Sequence, residues 1–218
     1  MNSGAGHYEP IAREGHPFVI VPAICALLFW WYGHPWLSLL FVAVSVAIAM
    51  FFRNPERIAP QDSDAVLSPA DGRVVQIEHN AQSRNMPDLS LQRISIFMSI
   101  FNVHVNRWPV SGTIRRITHV PGGFLDAREP AASITNENNS IVLDVVNGPI
   151  EVVQIAGKIA RRIACWVQEG DEVRQGERLG LIRFGSRLDV YLPQGFTFTV
   201  EVGTKVRAGQ TVIARREN

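Results

Sequence analysis

Two runs near the start of the chain, PFVIVPAICALLFWWY (17–32) and PWLSLLFVAVSVAIAMFF (35–52), contain no Asp, Glu, Lys or Arg. A charge at mid-bilayer costs about 2.5–3.5 kcal/mol on insertion scales, so this absence limits the folds open to residues 17–52. As helices the runs extend roughly 24 and 27 Å, slightly short of a hydrocarbon core of about 30 Å. Trp30, Trp31, Tyr32 and Trp36 cluster at the Gly33-His34 turn, as aromatic residues do at a bilayer interface, and Arg13, Arg53 and Arg57 flank the pair. The pattern predicts a membrane-anchoring helical hairpin with both ends on the cytoplasmic side of the cell (inner) membrane. A polar tail, residues 1–16, precedes it. A buried soluble hairpin and a re-entrant or interfacial one are the alternatives. A cleaved signal peptide fits less well, because the start is not basic and no small-residue cleavage site follows the first run.

From about residue 60 the chain changes character. RISIFM (93–98), SIVLDV (140–145), IEVVQIAG (150–157) and FTFTVEV (196–202) read as strands, Gly and Pro punctuate at short intervals, and no amphipathic helix of normal length is evident. The last stretch alternates strictly, which puts Phe196, Phe198, Val200 and Val202 on one face. An internal echo refines the picture: VQEGDEVRQGERLGLI (167–182) and VEVGTKVRAGQTVIA (200–214) share V-x-x-G-x-x-V-x-x-G at an offset of 203 − 170 = 33 residues. Paired glycines around a valine suit two tight turns flanking a short strand. The unit is similar to the half-barrel of lipoyl and biotinyl carrier domains. The fold expected for residues 60–218 is therefore mainly β, a compact β-sandwich or flattened barrel of duplicated half-barrel units. The carriers' modified lysine has no counterpart in a Met-Lys-Met or Asp-Lys turn here. A formal net charge of +1 gives no basic excess for nucleic acid. Cys25 and Cys165 do not make a disulfide framework and read as buried thiols of a reducing compartment.

LIRFGSRLDVYLP (181–193) reads as two strands joined without the usual hairpin dipeptide. The join, Gly185-Ser186-Arg187, puts a flexible residue and a hydroxyl where packing prefers β-branched side chains. Three more stretches accompany it: SPADG (68–72), with Asp71 in a Pro-Gly turn; IFMSIFNVHVNRWPVSGTI (96–114), with His104 between valines; and THVPGGF (118–124), with His119. Together, in this order, these motifs resemble the phosphatidylserine decarboxylases, in the shorter prokaryotic form whose processing site reads Gly-Ser-Arg. The resemblance covers most of residues 60–218 and, in hydrophobic character, the anchor.

The resemblance implies self-processing between Gly185 and Ser186 into a β chain, 1–185, and an α chain, 186–218, which stay together as a heterodimer. The Ser186 hydroxyl attacks the Gly185 carbonyl, the peptide bond becomes an ester, and elimination and hydrolysis leave a pyruvoyl group, the cofactor, on the α chain. That group forms a Schiff base with phosphatidylserine in the membrane and acts as electron sink for loss of CO2, giving phosphatidylethanolamine. No metal is called for, and a higher oligomer is possible. Residue types at the junction suit this chemistry: glycine admits strained backbone and leaves its carbonyl open, and serine supplies both nucleophile and leaving group. By the same likeness His104 assists decarboxylation and Asp71 assists cleavage. The position of the family's cleavage histidine holds Arg107, which stays protonated and cannot act as a base. His104 is then expected to move protons in both stages, with His119 in reserve and Arg107 as a ligand for the lipid phosphate or carboxylate.

Each residue also has a plainer reading. His104 would suit a hydrogen-bonded core histidine and Asp71 a turn residue, while Arg161 and Arg162 face either anionic headgroups or water. His7, His16, His34 and His79 read as surface or interface positions. His104 and Asn106 have no second His or carboxylate at metal-ligand spacing. The rival functions are a membrane-anchored, non-enzymatic adaptor or carrier-like domain and a cell-wall metallopeptidase on a related fold.

Overall fold

The computed structural model describes residues 7–60, 62–123, 125–129, 131–146, 148–158, 162–183 and 185–217; Phe124, Arg161 and Phe184 of the motifs above fall outside them. The chain divides into two units, His7–Glu56 and the part from Arg57 onward. In the first, a 3-10 turn, Arg13–Gly15, leads into α1, His16–Trp31, and Gly33 at φ 74° reverses the chain into α2, Pro35–Phe51. Each helix opens with Pro in its first turn, where the missing N–H is no loss. The Ser45 hydroxyl donates to the Val19 carbonyl at 2.6 Å, and Phe29 stacks on Phe41, so the helices lie against each other. Leu27, Trp31, Trp36 and Leu39 are exposed. The helical stretch Arg13–Trp31 is long and apolar enough to cross a membrane; Pro35–Phe51 is shorter.

The second unit is mainly β. Its strands are, in chain order, β1 Ala65–Leu67, β2 Gly72–Ala81, β3 Leu91–Met98, β4 Val105–Arg107, β5 Gly112–Val120, β6 Asn138–Asp144 and β7 Ile150–Ile155. Then come β8 Ile163–Cys165, β9 Glu172–Val173, β10 Arg178–Ile182, β11 Ser186–Pro193, β12 Phe196–Phe198, β13 Lys205–Val206 and β14 Val212–Arg216. Among the described residues they form an eight-stranded sheet, β13-β2-β3-β11-β7-β6-β5-β9, and two three-stranded sheets, β1-β14-β12 and β4-β10-β8. The apolar core draws on all three: Ile94, Ile96, Leu188, Val190 and Ile141 from the large sheet, Val66 and Ile213 from one small sheet, Leu179 and Ile182 from the other. A second cluster, including Val142, Val153, Ile155 and Tyr191, covers the opposite face of the large sheet. Strands β3, β7 and β11 are thus buried on both faces.

The internal echo is a structural duplication. Strands β9 and β13, two residues each, close the two ends of the large sheet by pairing with the starts of β5 and β2. The Gly170 N–H donates to the Ile114 carbonyl as Gly203 does to Val74, each at 2.8 Å. Gly176 donates to Trp108 as Gly209 does to Ser68, at 2.9 and 2.8 Å. These four glycines have φ between 67° and 95°, the left-handed region that the paired turns require. The expected duplicated, half-barrel β fold is therefore present. Two local expectations are corrected. The alternating run 196–202 is a strand only to Phe198, because the following backbone leaves the sheet to build the repeated turn, and Val202 at its end is exposed. Cys25 and Cys165 are partly buried rather than fully so.

A Cβ on Gly203 would meet nothing within 4 Å, so a substitution there tests conformation alone. Gly203→Val is expected to lower stability by about 1–3 kcal/mol in denaturant titrations, and Gly203→Asn by clearly less, since Asn tolerates this region.

Candidate active site

The join in LIRFGSRLDVYLP is a change of sheet. β10 pairs with β4 and β8, whereas β11 lies between β3 and β7 in the large sheet. The two strands are not hairpin partners, which is why no hairpin dipeptide separates them. At the crossing Gly185 adopts φ 57°. A Cβ there would meet nothing within 4 Å, so the demand for glycine at 185 is conformational rather than one of space. Space is the issue on the other side of the contact. A Cβ built on Gly157 would overlap the Gly185 carbonyl oxygen and stand 2.9 Å from its carbon. The backbone of Gly157, just past β7, is what the Gly185 carbonyl packs against.

Ser186 opens β11 on the core-facing parity of Leu188, Val190 and Leu192, opposite Met98 of β3. It is fully buried, and its hydroxyl has no hydrogen-bond partner among the described residues. Leaving a buried hydroxyl unpaired costs about 1–3 kcal/mol. Ser95 and Trp108 carry similar orphan atoms, so burial alone does not single out Ser186; its place directly after the Gly185 carbonyl does. Around it lies a chain of buried polar groups. Asn139 donates to Gln154 at 3.2 Å, Gln154 to Asn106 at 2.9 Å, and the Asn106 amide reaches the Met98 sulfur at 3.6 Å. His104, fully buried, sits two residues before Asn106. Its Nδ1 is 3.0 Å from the Asn102 carbonyl oxygen. A carbonyl only accepts, so Nδ1 is assigned as the donor of this bond.

Arg187, the third residue of the motif, is buried on the other face of the sheet. Its guanidinium pairs two-pronged with Asp189 at 2.9 and 3.0 Å and donates to the Ala127 and Glu129 carbonyls at 3.0 and 3.2 Å, and also to the Ser133 hydroxyl. One side chain therefore ties the start of β11 to the segment from 125 to 135. Arg93 lies 3.6 Å from the same Asp189 carboxylate and near the Tyr191 hydroxyl. Burial, and then the Asp189 charge, push the Tyr191 pKa up.

The remaining sequence candidates sit elsewhere. Arg73, Phe97 and Arg187 form one row across β2, β3 and β11. Asp71 immediately precedes β2. The Asp71 carboxylate pairs with Arg57 at 2.5 and 2.9 Å and accepts the Ala208 N–H at 2.8 Å. The duplicate position, Ser111, accepts the Gln175 N–H at 2.9 Å, so capping this turn is a feature of the repeat. Arg107 is buried and donates to the Gly176 carbonyl at 2.7 Å, inside the same pair of turns. His119 is on the surface of β5, its side chain 53% exposed and its Nε2 3.8 Å from Glu137. His104 and Ser186 are both fully buried, whereas Asp71 and Arg107 are engaged in the paired turns and His119 lies on the surface. Gly157, Gln154 and Asn106 were missed in the sequence. The glycine ending IEVVQIAG was the available signal, but nothing local reveals what lies across from it.

A model of the phosphatidylserine decarboxylase family matches residues 45–214. The chain belongs to that family. It is similar to a phosphatidylserine decarboxylase proenzyme of Geotalea uraniireducens (strain Rf4), 47% identical over 209 residues, which is 94% of this chain and 95% of the relative. The protein is accordingly a decarboxylase, a carboxy-lyase, and the non-enzymatic adaptor reading gives way to the enzymatic one. In this decarboxylase the Arg187–Asp189 pair is buried on both sides, so Arg187→Met leaves the Asp189 carboxylate with only the more distant Arg93, at 3.6 Å, to offset its charge. The expected loss is about 3–5 kcal/mol, read as a lowered thermal midpoint, with Arg187→Met/Asp189→Leu less destabilised than the single variant.

Proposed function

We propose that this decarboxylase converts phosphatidylserine to phosphatidylethanolamine and CO2 after cutting its own chain between Gly185 and Ser186. The observation that carries the reading is the buried Ser186 hydroxyl, without a hydrogen-bond partner among the described residues, directly after a left-handed glycine whose carbonyl rests on Gly157. The Ser186 Oγ attacks the Gly185 carbonyl carbon, the carbon–nitrogen bond breaks, and the freed nitrogen takes up a proton. Removal of the Ser186 α-proton then expels Gly185 as a carboxylate, and water replaces the resulting enamine nitrogen, which leaves as ammonia. The products are a β chain, 1–185, and an α chain of 218 − 185 = 33 residues. The new terminus is a pyruvoyl group, which supplies an electron sink for loss of the substrate carboxylate. The residues fit that group: Ser186 is the one that becomes it, it is fully buried opposite Met98, and Gly157 makes room for the Gly185 carbonyl that leaves.

His104 moves the protons in this reading. The Asn102 carbonyl, 3.0 Å from Nδ1, orients the ring for proton transfer in cleavage and in decarboxylation. Asp71 serves by fixing the Ala208 turn through its pair with Arg57, and His119 is left on the surface. Binding of a lipid anion is assigned to basic residues other than Arg107, whose guanidinium holds the Gly176 carbonyl. The apolar hairpin anchors the enzyme in the cell membrane with the β unit on the cytoplasmic side, and the relative's designation as a proenzyme supports processing into two chains. The molecule that works is then a β–α heterodimer, with a higher assembly open to it.

Intact mass spectrometry is the test. The purified protein is expected as two fragments, the smaller blocked to Edman degradation, and Ser186→Ala as one inactive full-length chain. A full-length, active wild type with serine intact ends the proposal. His104→Ala is expected to lose about 10²–10⁴-fold in turnover. Gly157→Ala is expected to slow cutting by at least tenfold, with the Gly157→Ala/Ser186→Ala double variant melting close to Ser186→Ala; a large fall in that melt instead marks Gly157 as a folding residue only.

A further inference from the structure

Between β3 and His104 the chain makes a tight turn, residues 99–102, at the end of the sheet where Met98 faces Ser186. The turn is fixed from within. The Asn102 side-chain oxygen accepts both the Ser99 N–H and the Ser99 hydroxyl, at 2.9 and 2.8 Å, and the Asn102 N–H returns a bond to the Ser99 carbonyl at 3.0 Å. It holds two large apolar side chains outward, Ile100 at 47% and Phe101 at 81% exposure. Leu125, at 37%, is at the same end: its N–H is held by Asn136, which also binds the Ala156 carbonyl next to Gly157. Lys158, adjoining Gly157, and Arg162, whose carbonyl accepts the Arg183 N–H at the end of β10 that lies toward residues 103–104, are exposed. An apolar tip flanked by cations suits the surface of a bilayer containing anionic lipid, where the tip leaves water and the cations meet phosphate.

We propose that the 99–102 turn is a membrane-dipping tip that seats the Ser186 end of the β unit on the bilayer from which its substrate comes. The inference rests on the function proposed above for that site and names the surface on which it works. The link to chemistry is short. The Asn102 side chain shapes the tip, and the Asn102 carbonyl holds the His104 ring. One turn therefore meets the lipid and orients the proton carrier.

The test uses the full chain reconstituted in vesicles of phosphatidylcholine and phosphatidylserine, with or without brominated acyl chains. The emission that F101W adds over wild type is expected to shift to the blue and to be quenched by bromine; water-like, unquenched emission overturns the tip. Activity gives a second reading. I100S/F101S is expected to cut itself normally, to decarboxylate monomeric short-chain phosphatidylserine within twofold of wild type, and to lose at least tenfold on vesicles. Equal loss on both substrates, or no loss on vesicles, overturns the proposal. Quenching is also read in F101W/S186A. Failure of the decarboxylation proposal therefore shows as inactive wild type with quenching retained, and failure of the tip as active wild type without quenching.

Discussion

The start of β11 in the interior of the large sheet is the constraint on which the rest of the structure depends. The strand that begins at Ser186 is bonded to β3 along eight residue pairs and to β7 along five, with apolar side chains packed on both faces. A chain parted just before such a strand keeps both sets of ladder bonds. Arg187 adds a buried ion pair and two carbonyl contacts one residue further on. Charges are expensive to bury, and this pair is acceptable because Asp189, Ser133 and two carbonyls satisfy most of the guanidinium. A junction made this way can be opened without releasing the strand beyond it.

The same arrangement places Gly185 in a connection rather than in a strand. The crossing from β10 to β11 leaves Gly185 outside both ladders, and its left-handed backbone is tolerated because no side chain has to share that conformation. Gly157 supplies the matching concession on the neighbouring strand end. Close approach of two backbones at glycine is a recurrent way to aim a carbonyl, and here the carbonyl is the one next to the serine. The buried polar chain through Asn106 and Gln154 fills the end of an otherwise apolar core, and as a satisfied network it favours one packing there.

Much of this was legible before the fold was known. The two uncharged runs became α1 and α2 within a residue of their expected limits, because helix formation there depends on local composition alone. The V-x-x-G-x-x-V-x-x-G echo gave the paired turns, because a left-handed position leaves its mark as glycine. The strict alternation of 196–202 misled, since Val200 and Val202 follow the strand pattern while their backbone bonds are drawn off to the repeated turn. The sequence named Asp71 and Arg107 but could not show their partners, Arg57 with Ala208 and Gly176, which come from other parts of the chain.

By itself the sequence determined the things that residue type carries locally: an apolar hairpin, a duplicated β unit, and a Gly-Ser bond suited to attack by a hydroxyl. Tertiary structure alone decided which groups meet. It set Gly157 against the Gly185 carbonyl, buried His104 while leaving His119 on the surface, and gave Arg187 its partner across a turn of chain 60 residues away at Ala127. The physical reason is that strand pairing joins segments without regard to their separation in sequence. A side chain's identity records what it can do, and only the register of the sheet fixes what it faces.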